Sequence, residues 1–176
     1  MRQLQPRRSF KEDFQTQTHL ERNNLITPNG FEKLKQERDE LLRRERPRVV
    51  DEVRQAVLQG DRSENAEYIY GKKRLREIDK RVRFLNRRLD TAKVIDPLEQ
   101  NTDCVRFGAT VTVKDERGKK QTYIIVGEDE IDLAQKRISW KSPIGSGLMK
   151  AQINDEVEIE TPRGIIVLTI LNYRYE

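Results

Sequence analysis

Between Tyr68 and Ala92 the chain places an apolar or small residue at every third or fourth position: Tyr68, Gly71, Leu75, Ile78, Val82, Leu85, Leu89 and Ala92. Steps that alternate between three and four put these side chains on one narrow stripe of a helix and leave the other faces in water. Such a stripe cannot fold alone; it needs a second helix to cover it. The sequence offers one just upstream. Thr27 is a good cap and Pro28 a good first helical residue, because the missing N–H of proline has no partner there anyway. Phe31, Leu34, Arg38, Leu42, Arg46, Val49, Val53 and Ala56 then follow at the same spacing, with one extra step of four around Leu42 that reads as a stutter. Pro47 lies inside this run and predicts a kink or a local loss of hydrogen bonding. Gly60 suits a helix end, and the second helix is expected to start near Asp61–Glu64. So short a connection makes the helices antiparallel neighbours. Arms of about 30 residues at ~1.5 Å each give a rod of roughly 45 Å. A rod this thin holds no pocket, so its distinctive place is the tip, at residues 58–65.

Composition fits long solvated helices plus a small domain: 37% of the 176 residues are charged and only 35% hydrophobic. Cys104 is the single cysteine, which excludes an internal disulfide and a cysteine-cluster zinc site. His19 is the single histidine, so Ser-His-Asp and Cys-His catalysis have almost nothing to build on. No apolar run approaches the roughly 20 residues that cross a membrane, and the basic start lacks the apolar centre of a signal peptide. A cytoplasmic protein with no membrane partner is the expectation. The net charge of +5 suits nucleic acid or a nucleoprotein partner.

Four segments follow along the chain. Residues 1–24 read as a polar, mobile tail, 25–94 as an antiparallel coiled coil, 95–104 as a linker opened by Asp96-Pro97, and 105–176 as a small β domain. In the last, 107–114, 121–126, 157–160 and 165–173 read as mostly antiparallel strands. Turns are expected at Asp115-Glu116-Arg117-Gly118 and Pro162-Arg163-Gly164, and a short helix at 143–150. Phe107, Tyr123, Ile125, Trp140, Val157, Val167 and Ile170 are its core candidates. The fold class is α+β.

Two constellations carry chemistry. The tip reads Gly60-Asp61-Arg62-Ser63-Glu64-Asn65-Ala66-Glu67-Tyr68. Read locally, Asp61 is a helix cap and Glu64 the acidic member of a capping box, both suited to the positive end of a helix dipole. The same spacing aims two carboxylates one way at the end of a rod, where they can share Mg²⁺ and orient a water. Mg²⁺ takes about six oxygens, so two carboxylates would need a partner's ligands to complete the site. Both readings stand on position alone. The second helix also bears a basic face of Lys72, Lys73, Arg74, Arg76, Lys80, Arg81, Arg83, Arg87, Arg88 and Lys93, opposed only by Glu77, Asp79 and Asp90. A solvated flank would be served by mixed signs; the excess suits a phosphate backbone. Tyr68 and Tyr70, near the tip, are candidates to stack on bases.

These stretches resemble the Gre transcript-cleavage factors. The tip, followed by Lys72-Lys73-Arg74-Leu75-Arg76-Glu77-Ile78-Asp79, carries the likeness most specifically, and the richly basic helix is nearer the GreB type than GreA. Ile26-Thr27-Pro28-Asn29-Gly30-Phe31, Ser142-Pro143-Ile144, Asn154-Asp155-Glu156-Val157 and Thr161-Pro162-Arg163-Gly164 are similar as well. The resemblance implies a C-terminal domain of FKBP-like fold that docks bacterial RNA polymerase through the Ser142-Pro143 loop, with the coiled coil in the secondary channel. It implies that Asp61 helps hold a catalytic Mg²⁺ shared with the polymerase, that Glu64 positions the attacking water, and that no cofactor is bound tightly. The basic face would contact the nascent RNA 3′ end, and charge reversal at Arg74, Arg81 and Arg88 is expected to weaken cleavage of longer extruded RNA most. The factor, a monomer when bound, would be an accessory to cleavage and not itself an enzyme. Prolyl isomerase activity is not implied, because no aromatic-lined pocket is identifiable in the sequence. Two other readings stay open: a channel occluder that does not cleave, and a generic nucleic-acid-binding coiled coil.

Overall fold

The computed structural model describes residues 24–58, 66–100, 102–162 and 164–176. Helix α1 (Pro28–Glu40) starts as its sequence dictates: the Thr27 hydroxyl accepts the Gly30 N–H at 3.1 Å, with proline in the first turn. It leads through one wide π turn, Leu41–Glu45, into α2 (Arg46–Leu58). Helix α3 (Ala66–Asp90) runs the other way. Val53 lies against Gly71, Glu45 against Arg74 and Glu37 against Arg81, so numbers fall on one side as they rise on the other.

The wide turn explains where the seam of the first arm lies. Its buried apolar positions are Leu34, Leu41, Val49 and Ala56. The middle step is one residue longer than a heptad, and that residue is absorbed where Arg46 N–H reaches back five positions to Leu41 O. Opening the turn ahead of Pro47 also moves away the carbonyl that its ring would strike. The helix therefore continues through the proline instead of breaking. Leu42, expected in the seam, is 41% exposed, and Leu41 takes its place. Arm α3 follows its sequence pattern closely: Gly71, Ile78, Val82 and Leu85 are buried, and Tyr68, Leu75 and Leu89 are half-buried. Gly71 is needed as glycine, because a Cβ there would stand 2.4 Å from Val53 Cγ2.

Two short strands close the base of the rod. Strand β1 (Asn24–Ile26) pairs in parallel with β2 (Ala92–Val94), and Ile95 N–H continues the ladder to Ile26 O at 2.9 Å. Ala92 is thus a strand residue and not the last helical one. Asn24, placed in the tail by its sequence, is buried in the fold at 5% exposure. Alternation along β1 sends Leu25 into the core of the β domain and Ile26 into that of the rod.

The C-terminal part is a curled five-stranded sheet in the order β5-β4-β3-β7-β6. Strands β3 (Ala109–Asp115), β4 (Lys120–Val126), β6 (Glu156–Thr161) and β7 (Gly164–Tyr175) lie where expected. Strand β5 (Arg137–Ser139), parallel to β4, was not anticipated. Helix α4 (Pro143–Leu148) adds the fully buried Leu148. Phe107, Ile125, Trp140 and Ile170 are buried in the core with Tyr123 and Val157 against it, as the sequence indicates. Val167 is not in that core. A register shift lets Thr112 face Asn172 while Val113 faces Ile170, leaving Leu171 unpaired. The extra residue flips the inward face from Tyr173 and Tyr175 to Ile170, Leu168 and Ile166, and Val167 falls on the other side. The segment read as a linker is packed down as well: Pro97 is buried and Gln100 Nε2 donates to Phe107 O at 2.5 Å.

Candidate functional site

Asp61 and Glu64, with Gly60, lie outside the described residues. Their neighbours on α2 and α3 place the ends of both helices at the extremity of the rod farthest from the β domain. Among the described residues no group of three or more His, Cys, Asp or Glu side chains is arranged to hold a metal ion.

The basic face is not uniform. Arg74, Arg81 and Arg88 recur every seventh residue beside the seam, and each is held by carboxylates of the fold. Arg74 Nη2 meets Glu45 Oε1 at 2.5 Å and Nη1 meets Glu77 Oε2 at 3.2 Å. Arg81 grips Glu37 with two parallel bonds of 2.6 and 2.8 Å. Arg88 Nε donates to Asp129 Oδ2 at 2.6 Å, and its Nη2 to Asn24 Oδ1 at 2.5 Å. Glu45, through its hydrogen bond and charge, raises the pKa of Arg74 further above its ordinary range, with Glu77 adding to it; a hydrogen bond from Glu37 does the same for Arg81. These arginines lace the second arm to the first and to the β domain.

The remaining cations face water. Lys72, Lys73, Arg76, Lys80, Arg83 and Arg87 are exposed, and none makes an ion pair among the described residues. Lys73, Arg76, Lys80, Arg83 and Arg87 repeat the three-four step of the seam on the opposite side of the helix, about 100° being turned per residue. They form a positive stripe along α3 from Lys73 to Arg87. Near its outer end Tyr70 is 70% exposed, whereas Tyr68 is half-buried at the seam.

The Ser142-Pro143 loop is rigidly built. Ser142 Oγ accepts the Gly145 N–H at 3.1 Å and donates to Ser139 O at 2.7 Å, which fixes Pro143 as an exposed first residue of α4. Lys141 Nζ stands 5.4 Å from the ring centre of the buried Trp140 and bridges to Glu128 at 3.2 Å.

Sequence reasoning missed Glu128, Asp129 and Glu130, which follow strand β4. Glu130 is the most consequential: its side chain is 5% exposed and it accepts from Thr27 N at 3.0 Å and Thr27 Oγ1 at 2.5 Å. No local pattern signals this, because the partners are 103 residues apart.

Comparison with known proteins gives a consistent result over both parts of the chain. Residues 24–94 match the family model described as "Transcription elongation factor, N-terminal", and residues 99–175 match "Transcription elongation factor, GreA/GreB, C-term". The transcription elongation factor GreB of Neisseria meningitidis serogroup B is 51% identical over 156 residues, covering 88% of this chain and 96% of that protein. The GreB protein of Yersinia pestis is 47% identical, covering 89% and 91%. That of Pseudomonas aeruginosa is 46% identical, covering 86% and 90%.

Proposed function

The chain belongs to the GreA/GreB family of transcription elongation factors, within it to the GreB type, and we propose that it stimulates bacterial RNA polymerase to cleave backtracked RNA in the cytoplasm. The β domain docks at the rim of the secondary channel through the Ser142-Pro143 loop. The rod enters the channel and carries Asp61 and Glu64 to the polymerase active centre. The observation that carries this reading is the one-sided positive stripe: five exposed cations that make no ion pair among the described residues, aligned along the arm that leads to those two acids in the sequence. A stripe of that kind follows a phosphate backbone, and RNA extruded past the active centre would lie along it.

At the tip the donor set is two carboxylates, hard oxygen ligands of the type that Mg²⁺ takes but too few to hold it alone. The ion would be the polymerase's, and when bound it would stabilise charge on the attacked phosphate. Asp61 would supply an oxygen ligand; Glu64 would accept a hydrogen bond from the water that attacks and so orient it. Neither residue does chemistry outside the polymerase, which makes the protein an accessory and leaves catalysis to its partner.

The test is addition of the protein to a stalled, backtracked elongation complex, with RNA length read on a gel. Short 3′ fragments should appear with the parent protein. Asp61→Ala should still bind polymerase and release none. Cleavage at the parent rate by that variant would end the metal role. Occupation of the polymerase without any cleavage by the parent would favour a channel occluder. Cutting of free RNA by the isolated protein in Mg²⁺ would make it a nuclease.

A further inference from the structure

A carboxylate buried to 5% exposure needs a reason, since an acid is rarely so placed unless fully partnered. Glu130 sits in the β domain, in the short 3-10 turn Glu128–Glu130. Its partners lie on both sides: Thr27 at the start of the rod, and Gly127 and Arg137 in the β domain. One oxygen accepts Thr27 N–H at 3.0 Å and Gly127 N–H at 3.2 Å. The other accepts the Thr27 hydroxyl at 2.5 Å, with Arg137 Nη2 at 3.4 Å. The same hydroxyl accepts Gly30 N–H, so both of its capacities are used. The acid therefore caps α1 from another domain and stands at the positive end of that helix. Gly30 leaves the space: a Cβ there would be 2.3 Å from Glu130 Cδ. Close by, Asp129 holds Arg88 and Asn24 Nδ2 donates to Arg88 O at 2.9 Å, which ties the base of α3 to the same turn. Both arms are thus anchored on three consecutive residues.

We propose that Glu130 is a positioning residue that fixes the angle at which the rod leaves the β domain, and through it the reach of the tip. The proposal rests on the cleavage-factor reading above. Geometry gives the leverage. Helix α3 has 25 residues, about 37 Å at ~1.5 Å each. A tilt of about 10° at the base would carry its far end roughly 6 Å sideways, against a catalytic tolerance of about 0.5 Å. Loss of this one carboxylate should therefore be felt most where it is farthest away.

The experiment uses the full chain with Cys104→Ser and spin labels at Arg83→Cys on the rod and Ile153→Cys on the β domain. Pulsed electron resonance should give one narrow distance in the parent. Glu130→Ala and Thr27→Val should each broaden or shift it, while Thr27→Ser, which keeps the hydroxyl, should not. In unlabelled proteins added to a backtracked complex, Glu130→Ala should bind polymerase nearly as the parent does. Its maximal cleavage rate should fall by about tenfold to a hundredfold, the scale expected when reacting groups are displaced by an ångström or more. An unchanged distance distribution in Glu130→Ala would overturn the proposal, as would a broadened one with cleavage intact. A lower melting temperature with both readouts unchanged would reduce Glu130 to a purely stabilising group. If the parent itself stimulated no cleavage, the functional reading would fail while the distance measurement still decided whether Glu130 fixes the angle.

Discussion

Neutralising the outward stripe and neutralising the arginines beside the seam should produce opposite phenotypes, and the difference can be worked out beforehand. Consider Lys80→Ala, Arg83→Ala and Arg87→Ala together. These side chains are exposed and make no ion pair among the described residues, so their loss should cost little stability. Each contact with a single-stranded phosphate contributes about 0.7 to the slope of log affinity against log salt. Three lost contacts should flatten that slope by about 2. At ~0.1 M salt this is roughly a hundredfold in affinity, or about 2.8 kcal/mol. Now consider Arg74→Ala, Arg81→Ala and Arg88→Ala. Arg81 and Glu37 are 46% and 40% exposed, so that pair is worth under about 1 kcal/mol. Arg88 and Asp129 are 23% and 12% exposed, and breaking their bond should cost about 1.5–3 kcal/mol. The salt slope should barely move. Fluorescence anisotropy of a labelled RNA single strand across a salt series, beside thermal melting, reads both quantities. If the seam-side triple flattened the slope as much as the stripe triple, the division of the basic face would be wrong.

Three further outcomes follow from packing and charge. Ile78→Ala, at a site 1% exposed in the rod core, should lower stability by about 2–5 kcal/mol, measured by denaturant unfolding followed by helical circular dichroism. Gly71→Ala should cost about 1–3 kcal/mol because its methyl meets Val53, and Val53→Ala in the same chain should recover part of that, a coupling that a double-mutant cycle would reveal. Burial pushes the Glu128 carboxyl up, but the Lys141 and Arg88 hydrogen bonds and charges outweigh it and hold its pKa below the ordinary glutamate value. A lowered folded pKa stabilises fully above the unfolded value and is lost as pH falls through the folded one. Lys141→Ala should therefore cost stability at neutral pH and little once the pH has fallen through the folded pKa of Glu128, which melting across a pH series would show.

The second arm was legible because one unbroken helix states its whole seam in its own period. The first arm was legible only in part. Its stutter marked an inserted residue, but the insertion sits in the turn before Pro47, which put Leu41 and not Leu42 in the seam. Strand β7 hides a similar offset: an unpaired Leu171 moves the inward face to Ile170, Leu168 and Ile166 and leaves Val167 on the other side. In both, one extra residue shifts everything after it, and only the partner strand or helix reveals where. Strands β1 and β5 are three residues each, too short for a period to show. The basic face was legible as a count, not as a division, because the carboxylates that take Arg81 and Arg88 lie 44 and 41 residues away. Asp61 and Glu64 were found in the sequence and remain a sequence finding, outside the described residues.

Strand β1 has a consequence for how the protein divides. The family models split the chain into pieces at 24–94 and 99–175, yet Leu25, in the first piece, is packed in the core of the second. Cut between them, the second piece would lack one core side chain and the first would bare it, at about 2 kcal/mol for a leucine. A slip of β1 by one residue along β2 would exchange Leu25 and Ile26 between the two cores and misfill both. Neither half can therefore unfold without the other registering it. Three residues of β1 are thus shared by the rod and the β domain, and the two should melt together at the base where they meet.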